Sequence, residues 1–139
     1  MPDFALVDKF NAKNKNTLME TLGIEFTLVE KGHMEATMPV DSRHHQPYGL
    51  MHGGASLALA ETVGSSGSAM YVDIKKNAVV GIQMSCNHLR GVKSGTVTAV
   101  GKIIHAGRST HLWDIEVFNE DKKLVSTFRL TNFIKPLEA

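Results

Sequence analysis

The chain has 139 residues, 42% of them hydrophobic, which suits a single domain over residues 1–139 whose core needs no disulfide or metal staple. Fifteen basic residues against fourteen acidic ones leave a formal net charge of +1, so the footprint of a nucleic-acid or anionic-membrane binder is missing. One cysteine, Cys86, excludes an internal disulfide framework and fits a reducing, cytoplasmic compartment.

In chain order, the first ten residues, MPDFALVDKF, carry acids and lack a long apolar stretch, so they do not read as a secretory signal. Residues 14–22 suit a short helix with Asn16 or Thr17 as cap and Gly23 as stop. Ile24, Phe26 and Leu28, then Met34, Ala36 and Met38, alternate with polar neighbours as half-buried strands do. Lys31-Gly32 between them predicts an antiparallel hairpin, and Pro39 marks the exit from the second strand.

A polar turn at Asp41–His45 follows, in which His44 and His45 read as solvated loop residues. Pro47 and Gly49 keep the chain non-helical until Gly53-Gly54, where one long helix begins and runs to Tyr71. From His44 to Val72 the only formally charged side chain is Glu61, and a lone carboxylate in an apolar run must be paired, exposed or chemically used. The stretch is long enough to cross a bilayer, but four glycines, four serines, Glu61 and the lack of a flanking basic cluster argue against it. Leu59, Val63, Gly67 and Met70 share one helical stripe; Glu61, Gly64, Ser65 and Ser68 share another. Gly64 and Gly67 each cost a helix roughly 1 kcal/mol relative to alanine, which implies a close approach by a backbone or a ligand.

Beyond the helix the period becomes two. Val80, Ile82, Met84, Cys86 and His88 form one apolar face of a long strand, which places His88 on the core side. Residues 96–105, 110–118 and 123–134 supply three more strands separated by turn-rich tetrapeptides, the pattern of an antiparallel meander. This order of elements predicts an α+β architecture, a sheet packed on one long helix. A sheet on one side leaves the other side of so uncharged a helix uncovered, so the chain is expected to oligomerise.

The run QPYGLMHGG from Gln46 to Gly54, with AETVGS from Ala60 to Ser65, resembles the hotdog-fold acyl-CoA thioesterases. EATMPVD from Glu35 to Asp41, Val79-Val80-Gly81 and Asn87-His88-Leu89-Arg90 extend the likeness over most of the chain. It is nearest the branch holding phenylacetate-pathway thioesterases, the helical-glutamate type of 4-hydroxybenzoyl-CoA thioesterase and 1,4-dihydroxy-2-naphthoyl-CoA hydrolase. The resemblance implies an antiparallel sheet wrapped round a central helix, subunits that pair, and pairs that join as a homotetramer. It implies an acyl-CoA substrate and no cofactor, coenzyme A being part of the substrate.

The chemistry of thioester hydrolysis needs a group that polarises the carbonyl and one that activates water. Backbone N–H groups at the helix start, Gly53 or Gly54, suit a developing oxyanion, and the resemblance gives them that part. Glu61 matches the family's catalytic carboxylate, as general base or as nucleophile. Gln46 and His52 match positions that bind near the thioester or place water. Ser65, one turn past Glu61, suits a hydrogen bond to substrate or water, and His88 matches a pocket residue of the naphthoyl-CoA branch. Each has a structural counterpart: Glu61 as a buried acid held by Ser65, His52 as a cap, Gln46 as the closure of a turn, His88 as a core histidine. Cys86 reads as packing, with no basic partner near it in the sequence.

His88-Leu89-Arg90-Gly91 and His105-Ala106-Gly107-Arg108-Ser109 resemble the family's nucleotide-contacting segments. No phosphate-binding fingerprint or zinc-ligand spacing occurs, so no metal is expected. Tyr48, Met51 and Met84 are candidates for an apolar pocket suited to aryl or medium acyl groups. The alternatives are a non-catalytic acyl-CoA-binding module, for which Glu61 has no use, and a hydrolase of carrier-protein thioesters. A hydratase on the same fold would want a His and Asp pair that the helix does not supply.

Overall fold

A computed structural model describes residues 2–138. It begins with a helix that the periodicity left unread, α1 (Phe4–Ala12), capped by Asp3, whose Oδ1 accepts from Leu6 N at 3.1 Å. Only Val7 of α1 is buried, so its apolar pattern is too short to announce a helix. Tertiary contacts hold it instead. The Asn11 side chain accepts from Phe26 N and donates to Phe26 O, and Phe10 meets Phe26 edge-on with ring centres 5.7 Å apart.

The next helix, α2 (Leu18–Leu22), is shorter than residues 14–22 because Asn16 sits at φ 62°, outside helical space. It starts at Thr17 and stops at Gly23, a left-handed cap at φ 73°. β1 (Glu25–Glu30) and β2 (His33–Val40) form the expected antiparallel hairpin. Pro39 lies inside β2, opposite Thr96, and does not end it.

One long helix, α3 (Gly53–Ser68), continues as a 3-10 turn through Tyr71. The later strands are β3 (Asn77–His88), β4 (Gly95–Ala106), β5 (Thr110–Phe118) and β6 (Leu124–Pro136). All six join one antiparallel sheet in the order β1-β2-β4-β5-β6-β3. β4, β5 and β6 are the predicted meander, but β3 joins outside β6 and becomes an edge. The sheet folds round α3, the α+β hotdog architecture. No helix among the described residues is long and apolar enough to cross a membrane.

The core lies between α3 and the sheet, where Leu59, Ala60 and Val63 pack with Met34, Met38, Val97, Trp113, Ile115 and Leu130, all at most 1% exposed. Gly64 and Gly67 belong to this face: a Cβ on Gly64 would stand 2.5 Å from Leu130 Cδ2, and one on Gly67 would overlap the Trp113 ring. The close neighbours are therefore core side chains, neither a backbone nor a ligand. Ser68 is buried too, because its hydroxyl serves the sheet. It accepts from Trp113 Nε1 (2.8 Å) and Asn132 Nδ2 (2.9 Å), and its own proton suits His111 Nδ1 (2.8 Å), which fills its bonding capacity. Burial, aided by the nearby charge of His105, pushes the His111 pKa down against a raising backbone hydrogen bond at Gly107.

Two expectations fail for local reasons. The alternation from Val80 to His88 breaks at a bulge between Gly81 and Gln83, so Val80 and Ile82 are 40% and 58% exposed while Met84 and Cys86 turn inward. His44 is not solvated; it is 1% exposed, its Nδ1 accepting from Asp41 N and its Nε2 donating to Leu22 O at 2.7 Å. It ties the 3-10 turn Ser42–His44 to α2, while Arg43 bonds the Asp41 carboxylate and holds its pKa far below the usual range. His45 reaches the Lys93 carbonyl through Nε2.

Candidate active site

The turn before α3 is built by Gln46. Its backbone N–H donates to Leu50 O, its carbonyl accepts from Gly49 N, and its side-chain Oε1 accepts from Tyr48 N at 2.6 Å and Leu50 N at 3.5 Å. Gln46 thus closes the turn, and because its oxygen is occupied the amide NH2 is the end left to donate. Met51 N donates to Val92 O and His52 N to His44 O, so the helix start is pinned on both sides.

His52 is the N-cap of α3, and its Nδ1 accepts from Gly54 N at 2.7 Å. The capping role is therefore occupied, and it consumes the Gly54 N–H. The adjacent Gly53 N–H, at the positive end of the helix dipole, has no partner among the described residues. Of the two glycines, Gly53 is the one able to meet an oxyanion.

The His88 ring covers Gly53: its Nε2 lies 2.7 Å from where a Cβ on Gly53 would stand. Ser56 Oγ donates to Ser126 Oγ (3.5 Å), which leaves the Ser126 proton for His88 Nδ1 (3.2 Å) and the His88 proton for Nε2, beside Gly53. That nitrogen also lies 3.6 Å from Cys86 Sγ. Cys86 therefore has a basic neighbour, two residues along the same strand face. Gln46, Met51, Gly53, His88, Arg90 and Gly91 line one cleft of ≈ 380 Å³, with Leu89 at its rim. Leu89 N and Arg90 N both donate to Val125 O, which fixes this segment beside the helix start.

Glu61 is elsewhere. It lies two turns up α3, in a second cleft of ≈ 470 Å³ with Leu18, Met19, Thr62, Ser65 and Gly81. Eight residues of helix separate it from Gly53 by about 12 Å, so within one chain it does not face the helix start. It is exposed and makes no hydrogen bond or ion pair among the described residues, which removes the structural alternative of an acid held by Ser65. Ser65 instead donates to Asn132 Oδ1 at 3.3 Å. Asn132, fully buried, spends its NH2 on Gly64 O and Ser68 Oγ, so its oxygen is aimed at Ser65. Alternation alone gave Asn132 no role, since a buried amide in an apolar strand face shows its partners only in three dimensions.

His105, Ala106, Gly107, Arg108 and Ser109 form the β4–β5 hairpin end, and Ala106, Gly107 and Arg108 line a third cleft beside Tyr71 and His111. A helix length of about 25 Å separates this hairpin from Gly53. Of the three residues offered for an apolar pocket, Met51 lines the helix-start cleft, Met84 packs against the core and Tyr48 stands 89% exposed at the turn tip. The three do not converge. A cleft of ≈ 600 Å³ among Lys102, Asp114 and Glu116 contains no candidate residue. No trio of His, Cys, Asp or Glu among the described residues is arranged to hold a metal.

Known proteins resemble this chain in sequence and in fold. The family profile described as the Thioesterase superfamily matches residues 48–126. The chain is 43% identical over 129 residues to the proofreading thioesterase EntH of Cronobacter turicensis, covering 92% of this chain and 93% of that one. A mutant thioesterase from Pseudomonas aeruginosa superposes with a TM-score of 0.91 at 46% identity, over 94% of each chain. A thioesterase from Staphylococcus aureus superposes at 0.84 and 43% identity, over 86% of this chain and 98% of that one. The Staphylococcus protein has been solved with a glutamine and with a glutamate replaced by alanine, fifteen positions apart. Gln46 and Glu61 have the same spacing.

Proposed function

The chain belongs to the thioesterase superfamily, and from that premise we propose that it hydrolyses acyl-coenzyme A thioesters, of aryl or medium-chain acids, at sites shared between two copies. The observation that carries the reading is the stripe Gly53, Leu57, Glu61, Ser65, spaced by four along α3. Gly53 and Glu61 share this stripe but their backbones stand about 12 Å apart along the axis, and the Glu61 carboxylate lies against Gly81 instead of reaching back toward the helix start. Two helices meeting antiparallel about Leu57 bring Gly53 of one copy beside Glu61 of the other. The unpaired outer edge of β3, which runs antiparallel along this stripe with His88 at Gly53 and Gly81 at Glu61, suits such pairing. A tetramer is two such pairs.

In each site the thioester oxygen meets the Gly53 N–H, with the Gln46 amide and His88 Nε2–H as neighbouring donors, and His52 holds the helix start in place. Glu61 of the other copy takes a proton from water or attacks the thioester carbon itself. Ser65, its proton given to Asn132, offers lone pairs to a water beside Glu61. The C–S bond then breaks and the thiolate leaves with the proton that water gave up; where Glu61 is the nucleophile, water next cleaves the acyl–Glu61 anhydride, which frees the acid and restores the carboxylate. Arg90 and the Arg108 hairpin are the candidate nucleotide contacts; since they lie at opposite ends of α3, one copy offers only one of them to a given nucleotide.

A panel of acyl-CoA thioesters, followed by thiol release, tests the substrate class, with the matching carrier-protein thioesters run in parallel. Glu61→Gln keeps size and hydrogen bonding but removes the base, so kcat should fall by about 10² to 10⁴ fold with KM nearly kept. An oligomeric Glu61→Gln enzyme within a few fold of wild type would leave a binding module as the better reading.

A further inference from the structure

Gly81 pairs with Asn132 across β3 and β6, and the bulge that follows pushes Ile82 outward. Gly81 thereby faces α3, and a Cβ built on it would stand 2.5 Å from Glu61 Oε1, 3.3 Å from Glu61 Cδ and 3.7 Å from Asn132 Oδ1. The carboxylate rests directly on the Gly81 backbone. Among the described residues no core side chain packs against Gly81, and the bulge beside it does not draw on glycine's left-handed backbone. Its φ is not positive, it is exposed, and a glycine inside a strand weakens it.

We infer that Gly81 is a positioning residue for Glu61: its missing side chain is the seat on which the carboxylate reaches the thioester, and any Cβ there lifts it off line. Bulges re-aim side chains beside active sites, and this one turns the seat toward the helix. The inference rests on the reading of Glu61 as the acting carboxylate.

Gly81→Ala tests it. The overlap is with the tip of a flexible side chain, so the strand survives and Glu61 moves by about 1 Å, a misplacement that costs on the order of 10² fold in rate. The unfolding midpoint should be unchanged or higher, KM should hold within about twofold, and kcat should fall by about 10 to 100 fold. In a Glu61→Gln background the same substitution should cost nothing more, since no base is left to displace. A kcat within about twofold of wild type overturns the inference, as does an equal loss in both backgrounds, the mark of a general structural effect. Glu61→Gln, assayed beside it, separates the two readings. Should that variant stay active, the catalytic role of Glu61 falls; should it be impaired while Gly81→Ala is not, only the seat falls.

Discussion

Complementation between two inactive variants follows directly from the distance between Gly53 and Glu61. Gln46→Ala removes a donor from the helix-start half of the site, and Glu61→Gln disables the other half. If each site takes one half from each of two copies, a 1:1 mixture of the variants with free subunit exchange rebuilds some sites. A site is intact only when its helix-start half comes from the Glu61→Gln chain and its carboxylate from the Gln46→Ala chain. Random assortment makes that about one quarter of all sites, whether the assembly is a dimer or a pair of dimers. The assay is thiol release from the best acyl-CoA after co-expression with separable tags, each pure variant being the baseline. A recovery near one quarter of wild type is the expected result. If both halves acted within one chain, every chain in the mixture would carry a defect, and activity would stay at the baseline; that result refutes the shared site.

Arg90→Ala should raise KM for CoA thioesters and leave kcat nearly unchanged, because a phosphate contact is remote from the bond broken; short thioesters without the nucleotide should not notice it, and equal losses on both would contradict the assignment. Ser68→Ala should strand the Trp113 N–H and the His111 Nδ1 in the core, while Asn132 keeps Gly64 O. Two orphaned buried groups cost about 2–4 kcal/mol, or roughly 10 °C in the unfolding midpoint of a chain this size. Thermal denaturation with no measurable shift would show that the network contributes little.

Periodicity of two and of 3.6 needs no partner to be seen, so the hairpin at Gly32, the start of α3 at Gly53 and the β4–β6 meander were legible from residue order. The lone charge at Glu61 stood out for the same reason, since a carboxylate in an apolar helix is conspicuous in one dimension. The helix α1 was not legible, because Asn11 and Phe10 hold it to Phe26, fifteen and sixteen residues away. The face of β3 was misjudged, because one inserted residue at Ile82 reverses the parity of everything before it. Gly64 and Gly67 implied a backbone or a ligand close to the helix until Leu130 and Trp113 were placed against them. The sequence by itself determined the elements other than α1 and the packing of a sheet on one long helix, since local periodicity carries those, and its resemblance to known thioesterases supplied the candidate site residues. Only the tertiary structure decided that the His88 ring covers Gly53, that the buried amide of Asn132 is turned to Ser65, and that the Glu61 carboxylate lies against Gly81. Those depend on distances between residues remote in sequence, which burial and hydrogen bonding set and residue order does not display.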